Sequence, residues 1–590
     1  MTMSPPCSSA LLLVLVAVGV GVGLGAESAN SLSVVEASRL LALDAEIVRR
    51  LQAYLEEEER RQREEVEGDP ESHTHEHPWI PAPLESISRY IHEFDAVTEG
   101  HAGANYETGA SEGLPSADPL RTMVITRRLG RDWPALRDAH FRNNQSWQGV
   151  VEAVEAAEAR LGVAGGREAV AGGTALSLMR LHHVYNLHAH HLAQGSPAPL
   201  ADGARPRRRS AAMPLLRASD LSAVGVKAME QEMYGRAAEW FEAARDAVEN
   251  EAEQETSQST TKSDTLRRQM DLLLHISTSL HDLLLTRRGF TGQTGIFPEQ
   301  LSQISLMEQK ESDVTPPDLG KLGKDDPTSV TVKPRDELAF SRLCRGHRLL
   351  TPTEESRLKC RTDARGSPYL VLMPARVEEL SLDPLILAFR DVLTNRQIED
   401  VKDLARPILE QAATAFGINS DTISVRSSHT AWLRDDTHAT VRSVGVKVAA
   451  LTGLVVKEDA GGEVLQVNLY GSAGHYIPHH DFVGAHYKAW EMQPPDDSVL
   501  AGHPNGDRIA TFMFYMNDVE EGGRTVFPRA RVGVEPRKGS AVFWWNLLPN
   551  GMSDFRTLHG ACPVIRGTKW VCNKWIKHHP QLHRRPCPVI

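Results

Sequence analysis

The sequence predicts a multidomain α+β protein, helical through its first half and built around a sheet at its carboxyl end. Two observations carry this reading. Apolar residues recur at three- and four-residue steps in successive segments between about 30 and 290, the period of a helix face. After about residue 380, "EVLQVNLY", "RIATFMFYMNDV", "SAVFWWNLL" and "KWVCNKWI" are β-type runs separated by turn residues. At 590 residues the chain has room for roughly three or four domains. Its composition, 41% hydrophobic and 24% charged, is that of a globular protein. A formal charge of −12, with "RPRRRS" at 205–210 as the one basic cluster, argues against nucleic-acid binding.

Residues 1–26 read as a secretory signal peptide. Its apolar run from Ala10 to Leu24 ends in small residues and is shorter than the ~20 residues a spanning helix needs. No other stretch is apolar enough to span a membrane. Secretory entry makes the cysteines disulfide candidates. Several pairings are open; Cys344–Cys360 and Cys562–Cys587 are the expected ones, with Cys572 left over. Asn144-Gln145-Ser146 is a glycosylation sequon.

Residues 27–200 read as a helical region. A long amphipathic helix covers about 30–66, and a looser His/Pro/Gly-rich stretch covers 68–118. Helical patterns then resume in "PLRTMVITRRLGRDWPALRDA", "WQGVVEAVEAAEARL" and "ALSLMRLHHVYNLHAHHLAQG". After a Pro/Gly/Arg-rich linker, residues 214–290 form a second unit. Within 221–249, Gly225, Ala228, Tyr234, Ala237, Phe241 and Ala244 fall where a tetratricopeptide helix pair places its packing residues. A further helix spans about 264–288. Residues 291–380, with Cys344 and Cys360, read as a linker region, and 381–590 as the sheet domain with one or two leading helices. "HTHEH" at 73–77 and "HHVYNLHAHH" at 182–191 invite a metal reading, but such clusters are more often solvated faces.

The chemistry concentrates in "HYIPHHDF". On a strand, side chains alternate faces, so His479 and Asp481 point one way and His480 the other. His-x-Asp with a distant His is the 2-His-1-carboxylate arrangement of non-haem Fe(II) oxygenases, which leaves coordination positions open for an oxo-acid and O₂. His559, 78 residues after Asp481, is the candidate third ligand. Ten residues on, Lys569 is a cation able to pair with the far carboxylate of a dicarboxylic oxo-acid. Along "KWVCNKWIK", Lys569, Val571, Asn573, Trp575 and Lys577 share one face and Cys572 and Lys574 the other, so Lys569 is the pocket candidate.

From about 425 to 587 the chain resembles the catalytic domain of collagen prolyl 4-hydroxylase α subunits. The resemblance is carried in order by "VRSSHTAWL", "LTGL", "LQVNLYG", "GHYIPHHDF", "DRIATFMFYMNDVEEGGRTVFP", "AVFWWNL", "TLHGACPVIRGTKWVCNKW" and "RRPC". The wording "FMFYM" and "FWWNL" resembles the third α isoform. "ALSLMRLHHVYNL" resembles that family's dimerisation region, and 221–249 its tetratricopeptide-like peptide-substrate domain. The resemblance implies a double-stranded β-helix, or jelly roll, for 381–590. It implies His479, Asp481 and His559 as iron ligands, and Lys569 on the distal carboxylate of 2-oxoglutarate, helped by Tyr470 and Thr511. Tyr476 and Trp575 match positions facing the peptidyl proline, and the two cysteine pairs match the family's intrachain disulfides. It further implies Fe(II), 2-oxoglutarate and L-ascorbate, with protein disulfide isomerase as the β subunit of an α₂β₂ tetramer. The setting is the endoplasmic reticulum lumen, with no retention tetrapeptide after "RRPCPVI". The reaction implied is 4-hydroxylation of proline in collagen-like X-Pro-Gly sequences, releasing succinate and CO₂.

Two positions depart from the family. Lys577 stands where a histidine usually assists 2-oxoglutarate binding and decarboxylation, and His480 replaces the usual aromatic between the ligands. A second repeat in the peptide unit is weakly marked in "LRRQMDLLLHISTSLHDLLLTRRGF". Three readings follow: a procollagen-type hydroxylase subunit, the same chemistry on another proline-rich secreted protein, or a non-catalytic peptide-binding and scaffolding subunit.

Overall fold

The computed structural model describes residues 34–68, 82–98, 118–140, 145–162, 167–195, 216–254, 260–287, 332, 334–364, 367–412, 426–483 and 505–585. The signal segment, the Asn144 sequon, the 73–77 histidines and Cys587 lie outside these residues.

The first half is helical, as its periodicity predicts. The helix Val34–Gly68 packs on Gln145–Leu161, and Pro119–Arg127 on Arg167–Tyr185. Ala218–Glu230 and Tyr234–Gln254 form the antiparallel pair anticipated from the tetratricopeptide spacing. A Cβ on Gly225 would lie 2.6 Å from the Phe241 ring, so a glycine is what lets the two helices close. Trp240 and Phe241 are fully buried and Tyr234 nearly so; all three are core residues. The 182–191 histidines also pack rather than chelate. His182 Nε2 lies 3.0 Å from Glu239, and His190 Nε2 3.0 Å from Asp246, tying Arg167–Tyr185 and its continuation to Tyr234–Gln254.

One half-buried cation on the same helix stands apart. Arg180 Nη1 is shielded from solvent with no hydrogen-bond partner, and burial alone lowers its pKa to about 10, so it is still charged at neutral pH. A shielded donor without a partner is a net cost that an apolar side chain of similar length removes. Arg180→Met is therefore expected to stabilise the protein by about 1 kcal/mol, read as a higher unfolding midpoint in denaturant.

The carboxyl half is two facing antiparallel sheets. The larger has the order β1 (Cys360–Asp363), β2 (Ala375–Leu382), β3 (Leu385–Arg390), β12 (Ala541–Trp545), β8 (Arg508–Tyr515), β15 (Lys569–Lys577), β6 (Leu465–Tyr470), β5 (His429–Leu433), β4 (Glu410–Gln411). The smaller runs β11 (Val532–Val534), β10 (Thr525–Phe527), β13 (His559–Ala561), β7 (Tyr476–His479), and β9 (Glu521–Gly522) pairs with β14 (Val564–Arg566). This is the jelly roll. Along β8, Ala510, Phe512 and Phe514 join the core beneath the helices Asn395–Ala405 and Ala439–Thr452. Met513 and Tyr515 face the smaller sheet, where Phe527, Val532 and Ala561 pack against them. Period-two alternation thus separates a structural face from a pocket face.

Two expectations are corrected. Much of 334–380 is built structure and not linker: the helix Pro334–Cys344 docks on β10, β11 and β7, and β1 and β2 open the large sheet. That docking changes the disulfide as well. Cys344 bonds Cys562, with Cα atoms 5.6 Å apart, and Cys360 is exposed and free. The Cys344–Cys360 and Cys562–Cys587 pairings are therefore not those of this structure; the helix end reaches the strand that follows His559. Cys572 is the small buried residue its face predicts. The two halves also meet at Tyr185, whose hydroxyl donates to the Pro563 carbonyl at 2.6 Å.

Candidate active site

The end of β7 and the start of β13 lie side by side, with His479 opposite His559 in the register. Asp481, just past β7, completes a cluster whose ligand atoms all lie within 4.8 Å of one another. It is the one such group of His, Cys, Asp or Glu among the described residues. His559 Nε2 is 3.6 Å and His479 Nε2 3.8 Å from the Asp481 carboxylate.

Each donor is held in the form a metal requires. His479 Nδ1 lies 2.9 Å from the Ile477 carbonyl and His559 Nδ1 3.0 Å from the Thr557 carbonyl. A carbonyl only accepts, so both Nδ1 atoms carry a proton and each Nε2 is turned to the cluster. Burial, reinforced by His559, lowers His479 to about 3, so it is neutral. Burial alone would raise Asp481, but His559, His479 and Arg508 outweigh it and hold the carboxyl at about 2. Thr511 donates to Asp481 Oδ2 at 2.6 Å, and Asn546 donates to Thr511 at 2.9 Å, fixing the carboxylate's orientation. Two imidazoles turned to one oriented carboxylate form a donor set that suits Fe(II).

Lys569 comes from β15 and meets Thr525 of β10 in the smaller sheet. It is 1% exposed, its ammonium donates to Thr525 at 3.1 Å, and no carboxylate among the described residues pairs with it. Burial pushes it down to about 7. Tyr470 sits opposite it in the register, with the ammonium 5.6 Å from that ring and 5.8 Å from Tyr515. A buried cation lacking a counterion, between aromatic walls and a hydroxyl, has the chemistry to accept one carboxylate. Thr511, expected beside Lys569, belongs to Asp481; the hydroxyl at Lys569 is that of Thr525.

The remaining predicted residues are Tyr476, Trp575 and Lys577. The Tyr476 ring stacks on His479 at 3.5 Å, with the Arg426 guanidinium 4.9 Å above it. Trp575 is buried under Arg508, 3.6 Å away, and its indole nitrogen finds no hydrogen-bond partner among the described residues. Lys577 does not reach the cluster directly. It pairs with Glu463 at 2.9 Å, and Glu463 also takes Arg508 through two bonds of 2.7 and 2.8 Å. Arg508 in turn donates to the Asp481 carbonyl at 3.3 Å. His480 turns away from the metal cluster as predicted, yet it is buried against Phe482 and Phe555 rather than facing outward. Arg426, Glu463, Arg508 and Thr525 were not anticipated. Arg508 opens β8 beside β15, Arg426 and Glu463 precede β5 and β6, and Thr525 opens β10 of the smaller sheet, so they lie far apart along the chain and no local pattern marks them.

Comparison with known proteins agrees with this geometry. Residues 465–577 match the 2OG-Fe(II) oxygenase superfamily, and residues 82–198 match the N-terminal region of the prolyl 4-hydroxylase alpha subunit. The chain is 30% identical to prolyl 4-hydroxylase subunit alpha-1 of Homo sapiens over 526 residues, covering 86% of this chain and 90% of that protein. Over 254 residues it is 41% identical to the Bos taurus subunit alpha-1, covering 42% of this chain and 45% of that protein. A viral collagen prolyl hydroxylase structure from Paramecium Bursaria Chlorella virus-1 aligns at 24% identity and a TM-score of 0.25, over 32% of this chain and 95% of that one. With the human subunit matched over nine-tenths of its length and an oxygenase region ending at the strand that carries Lys569, this chain is an Fe(II)/2-oxoglutarate dioxygenase that belongs to the prolyl 4-hydroxylase α-subunit family.

Proposed function

We propose that the chain hydroxylates C4 of peptidyl proline in collagen-like X-Pro-Gly sequences, with 2-oxoglutarate and O₂ consumed and succinate and CO₂ released. The observation that carries this reading is a three-donor cluster and, beside the Tyr470 that neighbours it, a buried lysine with no carboxylate partner among the described residues. His479, Asp481 and His559 would hold Fe(II), which with 2-oxoglutarate supplies the oxidising power to convert a C–H bond to C–OH. Lys569 binds the distal carboxylate of 2-oxoglutarate, supported by Thr525 and Tyr470. Thr511 and Asn546 keep Asp481 oriented, and Tyr476 stacks on His479 to fix that ring. Tyr476 and Trp575 line the entry for the proline ring, and the apolar inner face of the jelly roll keeps bulk water out. Lys577 acts through Glu463 and Arg508 on the wall of this entry.

The wider assembly follows the same reading. The helical region 27–200 serves dimerisation, and the helix pair in 214–290 binds proline-rich peptide. Protein disulfide isomerase is the β subunit of an α₂β₂ tetramer in the endoplasmic reticulum lumen, and L-ascorbate restores iron oxidised in uncoupled cycles. No helix among the described residues is long and apolar enough to cross a membrane.

The test is 2-oxoglutarate decarboxylation by the chain co-expressed with protein disulfide isomerase, with and without a (Pro-Pro-Gly)-type peptide, beside His559→Ala. Expected are peptide-stimulated succinate release and 4-hydroxyproline, both lost in the variant. Iron binding without turnover in the wild type would refute the hydroxylase reading and support a scaffolding subunit.

A further inference from the structure

Trp432 is a large apolar side chain left 47% exposed in a domain whose other described tryptophans are buried or half-buried. It belongs to the pocket face. Its neighbours Ala431 and Leu433 join the core on the helix side of β5. Thr430, on the same face as Trp432, bonds Asn468 at 2.6 Å and accepts from Arg426 at 3.2 Å. That Arg426 is the guanidinium above Tyr476. Opposite Trp432 in the register is Gln466, whose Oε1 accepts from Asn573, two residues before Trp575. The two indoles lie side by side, with ring centroids 6.1 Å apart and planes tilted by 41°. A line of rings and cations therefore leads outward from the metal cluster: Tyr476, Arg508, Trp575 and then Trp432, buried at one end and open at the other.

We propose that Trp432 is a specificity-determining residue that takes the ring of a second proline flanking the one presented at Trp575. The inference rests on the hydroxylase reading and names the substrate more narrowly. Aromatic grooves recognise proline-rich segments because the polyproline helix is pre-formed and its rings pack flat on an indole. That helix rises about 3.1 Å per residue, so 6.1 Å between the indoles spans about two residues. The flanking proline is therefore within two positions of the target. The tilt between the rings suits a helix that turns its successive rings to different sides.

The test is a double-mutant cycle on the full chain with its isomerase partner. Two peptides share the target proline, and one has its flanking prolines replaced by alanine. Their Kd is measured by calorimetry against wild type, Trp432→Ala and Trp432→Phe, with peptide KM and 2-oxoglutarate KM followed in turnover. In wild type, loss of the flanking prolines is expected to weaken binding about fivefold, the scale of one aromatic contact. Trp432→Ala binds the parent peptide about as weakly and no longer distinguishes the two; Trp432→Phe recovers part of the difference. The 2-oxoglutarate KM stays at the wild-type value, which a general loosening of the pocket would not allow. Equal discrimination by wild type and Trp432→Ala would overturn the proposal and leave Trp432 as a surface for a protein partner. Coupled binding without hydroxyproline would instead refute the hydroxylase reading and leave the peptide subsite standing.

Discussion

Lys569→Met is expected to raise the 2-oxoglutarate KM by about 100-fold or more at pH 7, because truncating one partner of a buried charge pair costs about 2–5 kcal/mol. The side chain is 1% exposed, and among the described residues its ammonium donates to Thr525 and pairs with no carboxylate. The same burial fixes a pH dependence. In the free protein the lysine is depressed to about 7, against about 10.4 in an unfolded chain. Between these values the unfolded state binds the proton and the folded state does not, so unliganded stability rises with pH across this window. A bound carboxylate favours the ammonium and raises its pKa, so ligand binding above pH 7 takes up a proton. Affinity for 2-oxoglutarate should therefore fall as pH rises from 7 toward 9, by at most about tenfold per unit. In Lys569→Met this part of the profile flattens. The unliganded variant should also melt higher than wild type while gaining less from added 2-oxoglutarate. A KM within threefold of wild type would remove Lys569 from the carboxylate site.

The carboxylate receptor and the metal donors differ in how far they are legible in the sequence. Strand alternation alone puts His479 with Asp481, turns His480 away, and sorts Lys569 from Lys574, because those inferences need only a two-residue period. Lys574 indeed lies on the other face, bonded to Asp435 at 2.9 Å. What alternation leaves open is which strands become neighbours. β15 sits between β6 and β8, so Glu463, Arg508 and Lys577 form one network from three separate stretches. Thr525 and Thr511 illustrate the same limit. Both are hydroxyls on inward strands, and only the placement of β10 and β8 decides which one meets Lys569 and which one Asp481. The disulfide followed the docking of the helix Pro334–Cys344, a tertiary event that cysteine spacing does not encode. His480 is buried because Phe555, 75 residues away in sequence, closes over it.

Asp481→Asn is expected to abolish turnover while preserving the fold, and metal content is the measurement that separates those effects. The substitution keeps shape and hydrogen-bonding capacity but removes the one negative charge of the donor set. Asp481 is ionised at every working pH, since its surroundings hold it at about 2, and His479 is neutral. The cluster thus offers Fe(II) a single formal charge, and the asparagine variant offers none. Second-sphere changes in such sites cost 10–100-fold in metal affinity; loss of a charged ligand should exceed that range, leaving purified protein without stoichiometric iron. Thr511→Val is the graded companion. It removes the 2.6 Å bond that orients the Asp481 carboxylate, so metal affinity should drop about 10–100-fold while saturating Fe(II) restores most activity. The same comparison can be run with Co(II) or Ni(II) by absorbance, which reads coordination without turnover. Asp481→Asn protein that still binds one equivalent of metal as tightly as wild type would place the ion elsewhere. The predicted order, wild type tightest, then Thr511→Val, then Asp481→Asn, follows from a carboxylate that must be both charged and held in one orientation.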